Sequence, residues 1–216
     1  MKQMKPWIPE RLDPIAEDID MILDYRLHEE RIEEKIFQKI QTQEEDFSTI
    51  SISKTIFENC EFMECSFERG EFTDVIFKKC NFSNCNFKDS YFNRCEFLDS
   101  KGVGAIFSGS NIQNVTIKNS NFNYSNFDTS KLDKVVIEHT EFNSANITQC
   151  NCKNMIWNQV GLDGVSFFKT RLYGIDFTTC KIGNLTLSDD CHELRGVTVD
   201  LYQAAELAKR LGVIIK

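Results

Sequence analysis

A large apolar residue returns at every fifth position of this chain, and that spacing excludes most folds. From Phe47 through Phe57, Phe62, Phe67 and Phe72 to Leu187, each fifth residue is apolar except Gly102. Sixteen of the 18 Phe lie in this register. A period of five is neither the 3.6 of a helix nor the 2 of a strand, so either element would scatter these side chains over its whole surface. The spacing predicts a backbone that turns a corner every five residues. A second column runs two residues earlier, through Cys60, Cys65, Gly70, Val75, Cys80, Cys85 and Ser90, and is small or β-branched. Between the columns lie mostly Asn, Asp, Glu, Lys, Ser and Thr. Phe has no polar handle, so its excess over 5 Tyr and 2 Trp points to dry, repetitive burial.

Segments such as CSFER, CNFSN, CNFKD, SNFNY, SNFDT and ANITQ resemble the pentapeptide-repeat family. The resemblance implies an all-β solenoid, a right-handed quadrilateral β-helix with 20 residues per coil and both columns pointing inward. The repeat as read from Phe47 to Leu187 makes about seven coils, a rod of roughly 35 Å at the usual spacing between strands. Phe47, Phe67, Phe87, Phe107 and Phe127 then form one ladder. Gly102 interrupts another, between Phe82 and Phe122, and a local bulge turning Val103 inward is expected there.

Exposed coil ends need covers, and both ends of the chain leave the register. Residues 1–43 are read as an N-terminal helical cap. Asp13 and Pro14 start it, and Ile15, Ile19, Ile22, Leu23, Leu27, Ile32, Ile36 and Ile40 form its apolar stripe. A partner-binding helix is the alternative there. Residues 44–192 form the β-helix. Residues 193–216 form a C-terminal module, with a short helix over 201–211 ended by Gly212. The run GVTVDLYQAAELAKRLGVII resembles the C-terminal segment of the Qnr quinolone-resistance proteins, which serves that family as a dimerisation module. The expected homodimer interface is Tyr202, Ala205, Leu207, Leu211, Val213, Ile214 and Ile215. A cap serving only its own chain is the alternative.

No catalytic constellation is legible, and an enzyme is not expected. His28, His139 and His192 are scattered. No phosphate-binding loop, dinucleotide fingerprint or zinc spacing occurs, so no cofactor or metal is expected. Stacked pairs such as Cys60 with Cys80 and Cys65 with Cys85 lie within disulfide reach. Ala, Ser and Val fill equivalent positions, however, which favours free thiols acting as small hydrophobes. The absence of a recognisable signal or spanning segment makes a cytoplasmic, reducing location the expectation. A net charge of -8 argues against direct nucleic-acid binding. Six acids, Glu58, Glu61, Glu64, Glu68, Glu71 and Asp74, stand against Arg69 alone and form a candidate docking patch for a basic partner.

The Qnr resemblance implies a rod that mimics duplex DNA and binds DNA gyrase or topoisomerase IV, protecting them from fluoroquinolones. Unlike many Qnr proteins, this chain inserts no loop between Phe47 and Leu187, and its acids mix with lysines after residue 78. A structural scaffold or regulatory adaptor for another protein is the alternative, with Ile56, Ile76, Val136 and Ile156 as an outward apolar set.

Overall fold

The corners of the chain fall where the period places them. In the computed structural model, which describes residues 2–210 and 212–215, a positive φ recurs every five residues without a gap from Glu34 to Gly174. Most of these corners are not glycine; Gly104, Gly109, Gly164 and Gly174 are. Left-handed backbone is costly for residues with a Cβ. Here it is held by hydrogen bonds to the next coil: the corner amides of Thr49, Glu64 and Asp89 donate to the carbonyls of Glu68, Ser83 and Ser108 at 2.8–3.1 Å. Four such corners close each coil.

Successive coils pair in parallel with a register of 20, as in Phe57 opposite Phe77 opposite Phe97. The result is a right-handed parallel β-solenoid of about nine turns with two α-helices. Its interior is four ladders. Phe47, Phe67, Phe87, Phe107 and Phe127 stack at 4.8–5.0 Å between ring centroids. Phe37, Phe57, Phe77 and Phe97 stack at 4.7–5.4 Å. These spacings match the separation of neighbouring strands, so flat rings fill each coil without lifting it from the next.

The solenoid is longer than its repeat suggests, because it begins earlier. Asp13–Ala16 pairs with Lys35–Gln38, and Ile32–Glu33 with Ser51–Glu58. The helix expected from Asp13 to about residue 41 is therefore confined to α1, Ile19–Leu27, whose first turn is capped by the Asp18 carboxylate. The reason is a double periodicity. Ile32, Ile36 and Ile40 fit a helical stripe, but Ile32, Phe37, Thr42 and Phe47 also step by five. Pairing with the next coil supplies partners for the backbone groups on one side of that stretch and prevails over local helix preference.

Gly102 keeps the register as well. Its amide bonds the carbonyl of Asn121, and Val103 stays half-exposed, so the expected bulge does not form. The ring of Phe122 occupies the missing side chain's place: a Cβ on Gly102 would stand 2.6 Å from it. Further along, Ile112, Ile117, Leu132 and Ile137 replace rings in the ladders, and an apolar void of about 20 Å³ remains among them.

Before the first coil, the chain runs along the outside of the solenoid as an extended strap. The Trp7 amide donates to Asp74 at 2.9 Å, and the Met4 amide to Asn114 at 3.3 Å. Lys54 lies 5.2 Å from the Trp7 ring centroid, a cation–π contact.

Candidate functional site

A surface on this rod is built from residues 20 apart, not from neighbours in sequence. That rule disperses the six acids. Glu61 and Glu64 share the face carried by residues 60–64, and Glu44 joins them from the coil below, where Gln41 lies opposite Glu61 and Gln43 opposite Met63. Glu68 is on the next face, Glu71 and Asp74 on the third, and Glu58 on the fourth. Two of the six are already committed. Asp74 is buried and accepts two bonds from the Arg94 guanidinium at 2.6 Å, besides the Trp7 amide. Burial pushes its carboxyl up, but Arg94 and the Trp7 amide outweigh this and hold it below the usual range. Glu58 is paired with Lys78 at 2.8 Å and accepts a bond from Gln38, and Lys78 above all lowers its pKa. Glu71 lies 3.9 Å from Arg31. Glu68 lies 3.8 Å from Arg69 and accepts a bond from Asn86, so among the described residues Glu61 and Glu64 are the acids of this run without a cationic partner, and Glu44 extends their face. Glu44 escaped the sequence reading because it lies outside the run of acids.

The C-terminal module is anchored by Gln203 at the start of its helix and by Arg210, which donates to the Leu185 carbonyl, at its end. Gln203 of α2, Leu201–Arg210, is buried and donates to the carbonyls of Phe177 and Cys180, both at 2.8 Å. Its Oε1 accepts the Asp200 amide at 2.9 Å, while Asp200 accepts the Gln203 amide at 2.8 Å. This reciprocal capping box fixes the start of the helix. The outward side of the module is apolar: Tyr202 is 83% exposed and Ile214 84%, with Leu201, Val213 and Ile215 also exposed. Ala205 and Leu207 are half-buried. Leu211 lies outside the described residues. Beside α2 a groove of about 300 Å³ runs along Ile182, Leu185, Glu206 and Leu207.

The cysteines are free. Their thiols do what serines do at the same positions: Cys80 donates to the Phe57 carbonyl and Cys85 to that of Phe62, as Ser90 does to Phe67 and Ser110 to Phe87. The small column is thus a hydrogen-bonding column too, a role that its size alone did not reveal. Burial pushes Cys95 and Cys150 up to about 12, which keeps both thiols protonated at neutral pH. His192 is less isolated than its sequence context implied: its Nδ1 lies 2.8 Å from Asp190, and Asp190, His192 and Glu193 bring ligand atoms within 4.8 Å. Glu193 serves the backbone, accepting the amides of Lys169 at 2.8 Å and Ser188 at 3.0 Å. Ile56, Ile76 and Val136 are half-buried and Ile156 is exposed, in one column interrupted by Glu96 and Thr116. Among the described residues no helix is long and apolar enough to cross a membrane.

Residues 70–148 match the family model of the pentapeptide repeat region. No curated protein matches the sequence. Among solved structures, trypsin-treated QnrB1, a plasmid-mediated fluoroquinolone resistance protein, is 25% identical with a TM-score of 0.51; the match covers 95% of this chain and 99% of QnrB1. HetL from the cyanobacterium Nostoc, a pentapeptide repeat protein involved in heterocyst differentiation regulation, is similar in fold at 10% identity, with a TM-score of 0.54 over 85% of this chain and 94% of HetL. The five-residue corners, the stacked ladders and these likenesses agree: residues 70–148 are a pentapeptide repeat region, and the chain has a pentapeptide-repeat fold like that of QnrB1.

Proposed function

We propose that the chain is a non-catalytic protein-binding rod that docks on DNA gyrase or topoisomerase IV as a mimic of duplex DNA and counters fluoroquinolones. The likeness to QnrB1 along nearly the whole of both chains carries this reading. Nine coils at strand spacing give a rod about 43 Å long. Its acidic contact is the face of Glu44, Glu61 and Glu64, with Glu68 at the adjoining corner. The rod pairs with a second copy through Tyr202, Ala205, Leu207, Leu211 and Val213 to Ile215, which doubles its length. Burial of an otherwise exposed apolar tail supplies the driving force.

The test is gyrase supercoiling in the presence of ciprofloxacin, with and without the purified protein. Rescue of supercoiling is expected, and Glu61→Lys with Glu64→Lys abolishes it. Absence of both rescue and gyrase binding over a wide concentration range favours the adaptor reading, in which the same rod serves another protein. One feature supports that second reading: the five-residue corners run without an inserted loop from Glu34 to Gly174. For the dimer, Tyr202→Glu with Ile214→Glu leaves the Gln203 anchor in place and is expected to give monomers in sedimentation. An unchanged dimer rules out this tail as the interface.

A further inference from the structure

Among the described residues from Ile32 to Asp190, the backbone ladder joins successive coils on every face at every boundary but one. Between residues 151–158 and 171–178, on two adjoining faces, the described residues form no backbone hydrogen bond across the coils. Asn151–Lys153 and Ile156–Asn158 pair only with the preceding coil, whereas Leu172, Gly174 and Phe177 bond forward to Glu193, Gly196 and Thr198. On the other two faces the same coils stay bonded, for example Gln149 to Phe168 and Lys181 to Val160. The seam is pinned at its ends by hydroxyls: the Cys150 amide reaches Thr170 Oγ1 at 2.9 Å, and the Gln159 amide Thr179 Oγ1 at 3.1 Å.

The opening is a groove of about 600 Å³ bordered by Asn151, Cys152, Lys153, Asn154, Arg171 and Tyr173. Its surroundings are basic within an acidic protein. Lys131, Lys134, Lys153 and Arg171 lie on this face over three coils, and none has a carboxylate within 4.0 Å among the described residues. The one acid among them, Asp133, accepts a bond from Asn154 at 2.8 Å. Asp176 faces the adjoining side, where it is held by Thr178. Tyr173 is 73% exposed beside the gap.

Unpaired strand edges recruit strands, and four unpaired cations select the charge of what arrives. We infer that this seam is a docking site for an extended acidic segment of a partner protein, which adds a strand along Asn151–Lys153 and pairs its carboxylates with Lys131, Lys134, Lys153 and Arg171. The site lies on other coils than Glu44, Glu61 and Glu64, so it stands whether or not a topoisomerase is the partner.

The probe is a fluorescein-labelled decapeptide of alternating Glu and Val, titrated with the full chain and followed by anisotropy. Saturable one-to-one binding is expected, weakened at least tenfold by Lys153→Glu with Arg171→Glu and unchanged by Lys101→Glu with Lys181→Glu on another face. Hydrogen exchange is expected to show amides 151–158 exchanging faster than 91–98 in the free chain and slowing on addition of peptide. Three outcomes overturn the inference. One is the absence of saturable binding. Another is equal protection of the two amide groups without peptide, meaning that the ladder is closed. The third is equal binding of a single-stranded oligonucleotide, which would make the groove a general polyanion site.

Discussion

The coils from Phe57 to Phe107 and those from Ile112 to Cys152 follow one period and pack differently. In the earlier stretch, every inward large position but Gly102 is a ring, and rings one coil apart stack at 4.6–5.6 Å. In the later stretch Ile, Leu and Cys alternate with Phe, and the apolar void begins at the junction, beside Phe92, Phe97 and Phe107, and extends among them. The strands on these two faces shorten farther along: Ser51–Glu58, Glu71–Lys78, Tyr91–Leu98 and Asn111–Lys118 each run eight residues through a corner, whereas Lys131–Asp133, Val136–Glu138 and Asn151–Lys153 run three, so the shortening begins one coil after the first aliphatic layer. In the next coil, residues 171–178 make no backbone hydrogen bond to the coil before. A flat ring stacked at strand spacing fills its layer completely. A branched aliphatic chain leaves unfilled space, and missing contacts are lost outright.

The sharpest way to break this comparison is to empty one layer in each stretch. Phe77→Ala removes a ring stacked on both sides and is expected to cost about 3–5 kcal/mol. Ile137→Ala, beside an existing void, should cost less than Phe77→Ala. Equal losses in urea unfolding would mean that ring stacking confers no special tightness. Gly102→Ala tests the junction of the stretches. Its Cβ meets the Phe122 ring, and overpacking of this kind costs about 1–3 kcal/mol. Phe122→Leu in the same chain should recover part of the loss, and a double-mutant cycle measures how much.

A smaller and pH-dependent effect is expected where the strap meets the ring-filled coils. Arg94→Ala leaves the buried Asp74 carboxylate without its partner, at a cost of about 1–3 kcal/mol near neutral pH. The sign follows from the depressed pKa of Asp74. Its contribution is fully present above the unfolded value of about 3.9 and is lost as pH falls through the lower folded value. Thermal melts of the two chains should therefore converge on acidification below pH ~4. A difference that persists there would show that Arg94 acts through packing alone. The mildest change, Ile137→Val, should cost about 0.5–1.5 kcal/mol. A neutral result would mean that the coil has already closed over the space.

Much of the fold was legible because its cause is local. A chain with apolar residues at every fifth position has few ways to hide them all, so the corners and the C-terminal helix could be read from residue order, and the ladder of Phe47, Phe67, Phe87, Phe107 and Phe127 followed once the family resemblance supplied four corners per coil. The Gly102 layer was misread, since nothing in the sequence says that a ring one coil later will fill the gap. The N-terminal stretch was misread because Ile32, Ile36 and Ile40 satisfy two periods at once. The acidic patch was misread for a geometric reason: a run of acids along a coil encircles the rod, and only residues a whole coil apart meet on one face.

The sequence by itself thus determined that the backbone would turn a corner every five residues and which side chains would lie inside, because burial of a regular apolar pattern leaves few backbone paths, while the four-sided coil was what the family resemblance implied. Tertiary structure alone decided which charges stand together, that Asp74 belongs to the strap and not to a surface, and where the ladder opens beside Lys153 and Arg171. Those outcomes depend on hydrogen bonds and ion pairs between residues 20 or more positions apart, whose partners are chosen only once the coils have stacked.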